Sequence, residues 1–161
     1  MTKLVAPRAR VQPVEFSDEV AALLRASGLP LADAGASQVQ LLGCRQSRRL
    51  TGIVGIELYG SVGLLRSLAV AESSRGRGLG QALVARAEKV AARSGVRTLY
   101  LLTTTATDFF SRLGYAPAPR DLAPASIAAT TQFTDICPAS AAFLSKPLRL
   151  PAAPNRRTLP T

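Results

Sequence analysis

The chain contains no histidine. That removes the commonest general base at neutral pH, every nucleophile–histidine pair of the protease kind, and the imidazole ligands of most zinc sites. Cysteine is nearly as scarce: Cys44 and Cys137 stand far apart with no Cys-x-x-Cys spacing, so no metal centre is expected and Cys137 reads as a packed thiol. Aromatic residues make up only 5% of the chain, too few to interleave with basic residues as nucleic-acid platforms do. No apolar run approaches the roughly 20 residues that span a bilayer. The opening Met1-Thr2-Lys3-Leu4-Val5-Ala6-Pro7-Arg8 is short in apolar residues and broken early by proline, unlike a secretory signal. A soluble, cytoplasmic protein with no membrane partner is expected.

What is present is a chain of 161 residues with 47% hydrophobic content, enough to bury the core of one domain. Its net charge of +10 at pH 7 attracts polyanions of any kind, from coenzymes to nucleic acid. The arginines are spread along the chain rather than packed into one tract, so specific nucleic-acid binding is not expected.

An arm over residues 1–10 precedes a short edge strand over 11–15. Ser17 then caps a helix over 18–27 that carries Asp18 and Glu19 in its first turn and Gly28 at its end. Residues 39–45 and 50–59 read as two strands joined by the polar Gln46-Ser47-Arg48-Arg49 turn, and a third strand follows to Val70. A helix over 79–94 places Leu79, Leu83, Ala87 and Val90 on one face. Residues 96–103 form a continuous apolar run, read as a central parallel strand buried on both faces. A short helix over 105–113, a strand from Tyr115, a one- or two-turn helix over 123–130, extended pieces at 132–134 and 142–144, and a disordered tail from 149 complete the reading. The order suggests an α/β fold with six or seven strands of mixed direction and a domain over 11–148.

The most informative segment is Arg75-Gly76-Arg77-Gly78-Leu79-Gly80, which follows a strand and opens a helix. Glycines let backbone approach a ligand closely, and the first N–H groups of a helix lack intrahelical partners and carry partial positive charge, so the arrangement suits a phosphate group. The spacing excludes two common loops. The sixth position is Gln81 counted from Gly76 and Leu83 counted from Gly78, which breaks the dinucleotide fingerprint Gly-x-Gly-x-x-Gly, and no Lys-Ser or Lys-Thr pair follows for a triphosphate loop.

The remaining pattern, Arg75-x-x-Gly78-x-Gly80 after Leu68-Ala69-Val70, resembles the acyl-coenzyme A pyrophosphate loop of the GNAT N-acetyltransferase superfamily. Phe109-Phe110-Ser111-Arg112-Leu113-Gly114-Tyr115 resembles that family's short helix ending in Leu-Gly-Phe/Tyr. The resemblance implies an acetyl-CoA-dependent N-acetyltransferase whose fourth and fifth strands splay, with helices on both faces of the sheet. It implies main-chain binding of the pantetheine arm at Leu68, Ala69 and Val70, and phosphate contacts from Arg75, Gly76, Arg77, Gly78, Leu79, Gly80 and Gln81. Thr104, Phe110 and Arg112 complete the expected cofactor set. A finer similarity, carried by residues 64–70, 101–106 and 137–141, is to a bacterial branch associated with arsenic-resistance gene clusters.

An amine nucleophile must lose a proton before or during attack, and Glu57, alone in the apolar Ile53-Val54-Gly55-Ile56-Glu57-Leu58, is the expected base; the other reading is a water-facing glutamate or one paired with Arg66. Arg66, Ser67 and Thr103 are candidate acceptor-binding residues, Arg66 as a clamp for a carboxylate or otherwise an exposed arginine. The family often carries a proton-donating tyrosine at the position of Phe110, which cannot donate. Tyr100, Tyr115 and solvent are the substitutes, and a non-catalytic acyl-CoA sensor is the competing reading. The expected partners are a small amine, an amino acid or acidic metabolite, and at most a second copy of the chain.

Overall fold

Ser17 starts the first helix as expected: its Oγ accepts the Val20 N–H at 3.3 Å, and Asp18 and Glu19 complement the positive helix end. The computed structural model describes residues 10–136 and 140–149. The strands are β1 (Val11–Val14), β2 (Val39–Gln46), β3 (Arg49–Tyr59), β4 (Val62–Val70), β5 (Thr98–Thr103), β6 (Ala116–Pro117) and β7 (Ala142–Pro147). The helices are α1 (Asp18–Ala26), α2 (Leu79–Arg93), α3 (Thr107–Arg112) and α4 (Ala125–Ala128).

These strands form one mixed sheet in the order β1-β2-β3-β4-β5-β7-β6. The first four run antiparallel; α2 then carries the chain across to β5, which lies parallel to β4 and antiparallel to β7. The β2–β3 turn is closed by Ser47 and Arg48, both with positive φ (51° and 67°), the backbone of a tight hairpin loop.

Helices lie on both faces. On one, α2 packs Leu83, Val84, Ala87 and Ala91 against Val54, Ile56, Leu65, Leu99 and Leu101. Each of the leucine, isoleucine and valine side chains contributes roughly 1.5–3 kcal/mol of burial. Contact is close: a Cβ on Gly52 would stand 2.8 Å from Leu83 Cδ1. On the other face, Val20, Leu23 and Leu24 of α1 cover Leu41, Leu50, Ile53 and Ala69, while Ile127 of α4 covers Leu64 and Phe143.

Two expectations need correction. β5 alternates, with Leu99 and Leu101 buried under α2 while Tyr100 and Leu102 on the other side are only half-buried. Residues 132–134 are not extended: Gln132–Ile136 is a single π-helical turn after α4, placed so that Phe133 meets the Phe143 ring edge-on. The arm over 1–10 and the tail over 149–161 lie outside the described residues apart from Arg10 and Arg149, and Cys137 lies outside them as well. Among the described residues no helix is long and apolar enough to cross a membrane.

Candidate active site

β4 and β5 are joined by only three register pairs, Val62–Thr98, Gly63–Leu99 and Leu64–Tyr100. Beyond Leu64 they part, although β4 continues to Val70 and β5 to Thr103. The splay opens a cleft of about 470 Å³ walled by residues 65–70 of β4 and by Leu101, Leu102 and Thr103 of β5. Its lining also includes Arg75, Gly80, Phe109 and Phe110.

The β4 wall is itself distorted. Ile53 pairs with Ala69 and Gly55 with Arg66, so Val54 of β3 faces two residues of β4, Ser67 and Leu68. This is a bulge, and Ser67 takes the left-handed conformation (φ 57°) that side chains other than glycine rarely adopt. Such bulges re-aim the main chain locally.

At the end of β4 the chain makes one 3₁₀ turn and enters α2 through Gly78, whose φ of 80° places it in left-handed geometry as the helix N-cap. Gly76 has φ of 78°. No heavy atom lies within 4 Å of where a Cβ would sit on either glycine, so the turn leaves open space beside bare backbone. Arg75 Nε donates to the Val70 carbonyl at 3.1 Å, which ties the turn back to the strand. A second depression of about 410 Å³ over this turn is lined by Ser74, Arg75, Gly76, Gly78, Gly80 and Gln81. It shares Val70, Arg75, Gly80 and Phe109 with the β4–β5 cleft, so the two are continuous along the sheet end. Unpaired N–H groups, open space and the Arg75 guanidinium make this a fit for a diphosphate.

On the α1 side of β4, Arg66 is the hub of a buried polar network. Its side chain is 0% exposed, and it forms a two-pronged ion pair with Asp33 as well as donating Nη1–H to Glu57 Oε2 at 3.0 Å. Nε–H reaches Ser67 Oγ at 3.2 Å. The other Glu57 oxygen accepts the Tyr59 hydroxyl. Arg66 donates hydrogen bonds that hold Asp33 well below the ordinary aspartate range against the opposing effect of burial. Burial alone would lower Arg66, but the hydrogen bonds and charges of Asp33 and Glu57 outweigh it and hold the guanidinium above its usual value. Burial, then the bond and charge of Glu57, push the Tyr59 phenol up.

The structure therefore brings Arg66, Ser67, Leu68, Ala69, Val70, Arg75, Gly80, Thr103 and Phe110 together around one cleft. Gly76, Gly78, Leu79 and Gln81 gather at the adjoining turn. Arg77, Thr104 and Arg112 are exposed and line neither depression. Glu57 is only 2% exposed and stands on an interior strand behind Arg66 rather than on the cleft wall. The exposed-arginine reading of Arg66 and the water-facing reading of Glu57 both give way to burial.

Neither substitute tyrosine reaches the cleft. Tyr115 is buried against Phe110 and Glu88, and burial followed by the Glu88 charge pushes its phenol up. Tyr100 stacks on Phe143 at 5.3 Å. The sequence reading missed Ser27, Leu29 and Ala106 as cleft residues, and Asp33 and Tyr59 as partners of the Arg66 network. Ser27 and Asp33 sit in segments whose local pattern says only helix end and loop.

A model described as the acetyltransferase (GNAT) family matches residues 9–115. An uncharacterized N-acetyltransferase of Chlorobaculum tepidum is 40% identical over 63 residues, a stretch that covers 39% of this chain and 40% of that relative. Among solved structures, N-acetylglutamate synthase from Neisseria gonorrhoeae, complexed with coenzyme A and N-acetyl-glutamate, superposes with a TM-score of 0.72 at 21% identity. That match covers 89% of this chain but 36% of the synthase, so the chain spans well under half the length of either relative. A GNAT-family acetyltransferase from Staphylococcus aureus has a TM-score of 0.68 at 15% identity, covering 87% of this chain and 100% of that one.

Proposed function

The chain belongs to the acetyltransferase (GNAT) family, and from that membership we propose that it transfers an acetyl group from acetyl-CoA directly to the nitrogen of a small amine. The observation that carries the reading is the early end of the β4–β5 pairing at Leu64 and Tyr100, which opens a cleft continuous with the glycine turn.

In this reading the turn from Arg75 to Gln81 holds the diphosphate through main-chain N–H groups, with Arg75 and Arg77 supplying charge. Arg112 and Thr104 stand outside the cleft lining and serve only the exposed end of the cofactor. Leu68, Ala69 and Val70 meet the pantetheine arm through main chain, and Phe110 walls the slot. As an amine attacks the thioester, its carbonyl oxygen gains negative charge, which a backbone N–H near Val70 stabilises. Thr103, Ser67 and Arg66 border the acceptor. Arg66 already gives its donors to Asp33, Glu57 and Ser67, so it shapes the acceptor wall as part of a network. Glu57, off the cleft wall, takes the amine proton through a water chain. With no tyrosine on the cleft wall, the departing thiolate takes its proton from solvent.

The acceptor is an amino acid or acidic metabolite. The coenzyme A and N-acetyl-glutamate held by the gonococcal fold neighbour support testing amino acids first. The resemblance of residues 64–70, 101–106 and 137–141 to the arsenic-resistance branch supports including small arsenic-bearing and glutamate-like amino acids among the acceptors tested. The test is incubation with acetyl-CoA and a panel of amino acids while free thiol is measured. Acceptor-dependent thiol release over many turnovers is the expected result. Tight coenzyme binding without release across a broad panel would replace the enzyme by a sensor.

A further inference from the structure

We infer that the Ser27 hydroxyl is a ligand-binding group, donating a hydrogen bond to a carbonyl of the acyl-pantetheine arm in the β4–β5 cleft. The inference rests on the acyl-CoA reading of that cleft. Ser27 is the C-cap of α1, with helical-end backbone (φ −93°, ψ 4°) and its own N–H turned back to the Leu23 and Leu24 carbonyls. Its N–H is therefore used within the helix. Its side chain is not: among the described residues Ser27 Oγ is the one buried side-chain polar atom with no hydrogen-bond partner.

An enclosed hydroxyl without a partner destabilises a folded protein, because it has lost its water and gained nothing in return. Its presence calls for an explanation outside the resting fold. The location supplies one, since Ser27 and Leu29 line the same cleft as the parted strands, and rotation about the serine Cα–Cβ bond to another staggered position is what turns the enclosed hydroxyl to an occupant. Each other hydroxyl of that lining has a partner or faces water. Ser67 Oγ accepts from Arg66, Thr103 Oγ1 accepts the Ala106 N–H at 3.0 Å, and Thr105 faces water. Ser27 alone is enclosed and uncoupled. An occupant lying between residues 65–70 and 101–103 must be extended and narrow, and the pantetheine arm is a linear chain with amide carbonyls ending in a thioester carbonyl. A serine hydroxyl matches such a group as a donor.

The test is calorimetric and needs no knowledge of the acceptor. Wild type and Ser27→Ala are titrated with acetyl-CoA, with coenzyme A, and with adenosine 3′,5′-diphosphate, which lacks the arm, and their melting temperatures are compared. The expected result is about tenfold weaker binding of acetyl-CoA to the variant, unchanged binding of adenosine 3′,5′-diphosphate, and a melting temperature equal to or above wild type. Equal weakening for coenzyme A places the bond on an arm amide; weakening confined to acetyl-CoA places it on the thioester. Equal acetyl-CoA affinity in the two proteins overturns the inference and leaves the acetyl-transfer reading intact. Absence of acetyl-CoA binding by wild type overturns both, and a lowered melting temperature with unchanged affinities assigns Ser27 to the fold instead.

Discussion

Arg66 Nη1 lies 3.0 Å from Glu57 Oε2, and the two side chains are 0% and 2% exposed. A second carboxylate, Asp33, grips the same guanidinium from the loop after α1, so one cation is buried between two anions on the wall behind the cleft. Removing a single member of such a group strands charge without water, which costs more than the pair contributes.

Replacing Arg66 by Met leaves both Asp33 and Glu57 without their counter-charge. The variant is expected to lose about 3–5 kcal/mol of stability, read as a shifted urea midpoint. A loss below about 1 kcal/mol, the level of an exposed pair, would show that the network carries little of the fold.

Asp33 supplies a pH dependence with a definite sign. Its folded-state pKa lies below the ordinary value, so the stability it contributes is fully present above about pH 4, the unperturbed range. That stability is lost as pH falls through the depressed value. Asp33→Asn should therefore be less stable than wild type at neutral pH, with the gap closing under strongly acid conditions. Urea midpoints for both proteins across that range check it; a gap that widens in acid contradicts it.

Glu57→Gln keeps the shape of the side chain and removes its capacity to take a proton. Turnover should fall on the order of 10²-fold and the pH profile of kcat should shift, with acetyl-CoA affinity unchanged. Unaltered kinetics would leave Glu57 as a structural partner of Arg66 and Tyr59 only.

Gly78→Leu separates folding from binding at the glycine turn. Because no atom lies within 4 Å of the missing Cβ, the cost to the fold is limited to the left-handed backbone, φ 80°, about 1–2 kcal/mol. The new side chain stands at the N-cap of α2, in the path proposed for the diphosphate. A folded protein whose coenzyme A binding is no longer measurable by calorimetry is expected, and wild-type affinity would remove the turn from the site.

Much of this was legible along the chain because the signals were local. Ser17, the acidic pair after it and Gly28 marked α1 at both ends, and the glycine turn identified the start of α2 at Leu79. The hairpin loop was legible as polar residues, though Ser47 and Arg48 are not the residues that left-handed backbone favours. The π-helical turn at Gln132–Ile136 was not legible, since five residues without clear periodicity are arbitrated by tertiary contacts such as Phe133 on Phe143. Of the Arg66 network only the pairing with Glu57 was legible, as one reading of that glutamate. Asp33 meets Arg66 from 33 positions away, out of a loop with no periodic pattern, and only the closed sheet brings Glu57 beside both.

The parting of β4 from β5 has a bearing on what the protein tolerates as a guest. A sheet unzipped along part of one seam exposes peptide groups in the rhythm of a missing strand, framed by neighbours that remain zipped on their outer sides to β3 and β7. A flexible thread bearing amides can mimic that strand and dress the seam; a squat thioester without them fits the same width yet leaves the peptide groups bare. On the acyl-CoA reading, the parted backbone contributes to selectivity for the donor alongside the side chains of the cleft, and a mutation that bends the sheet blunts it.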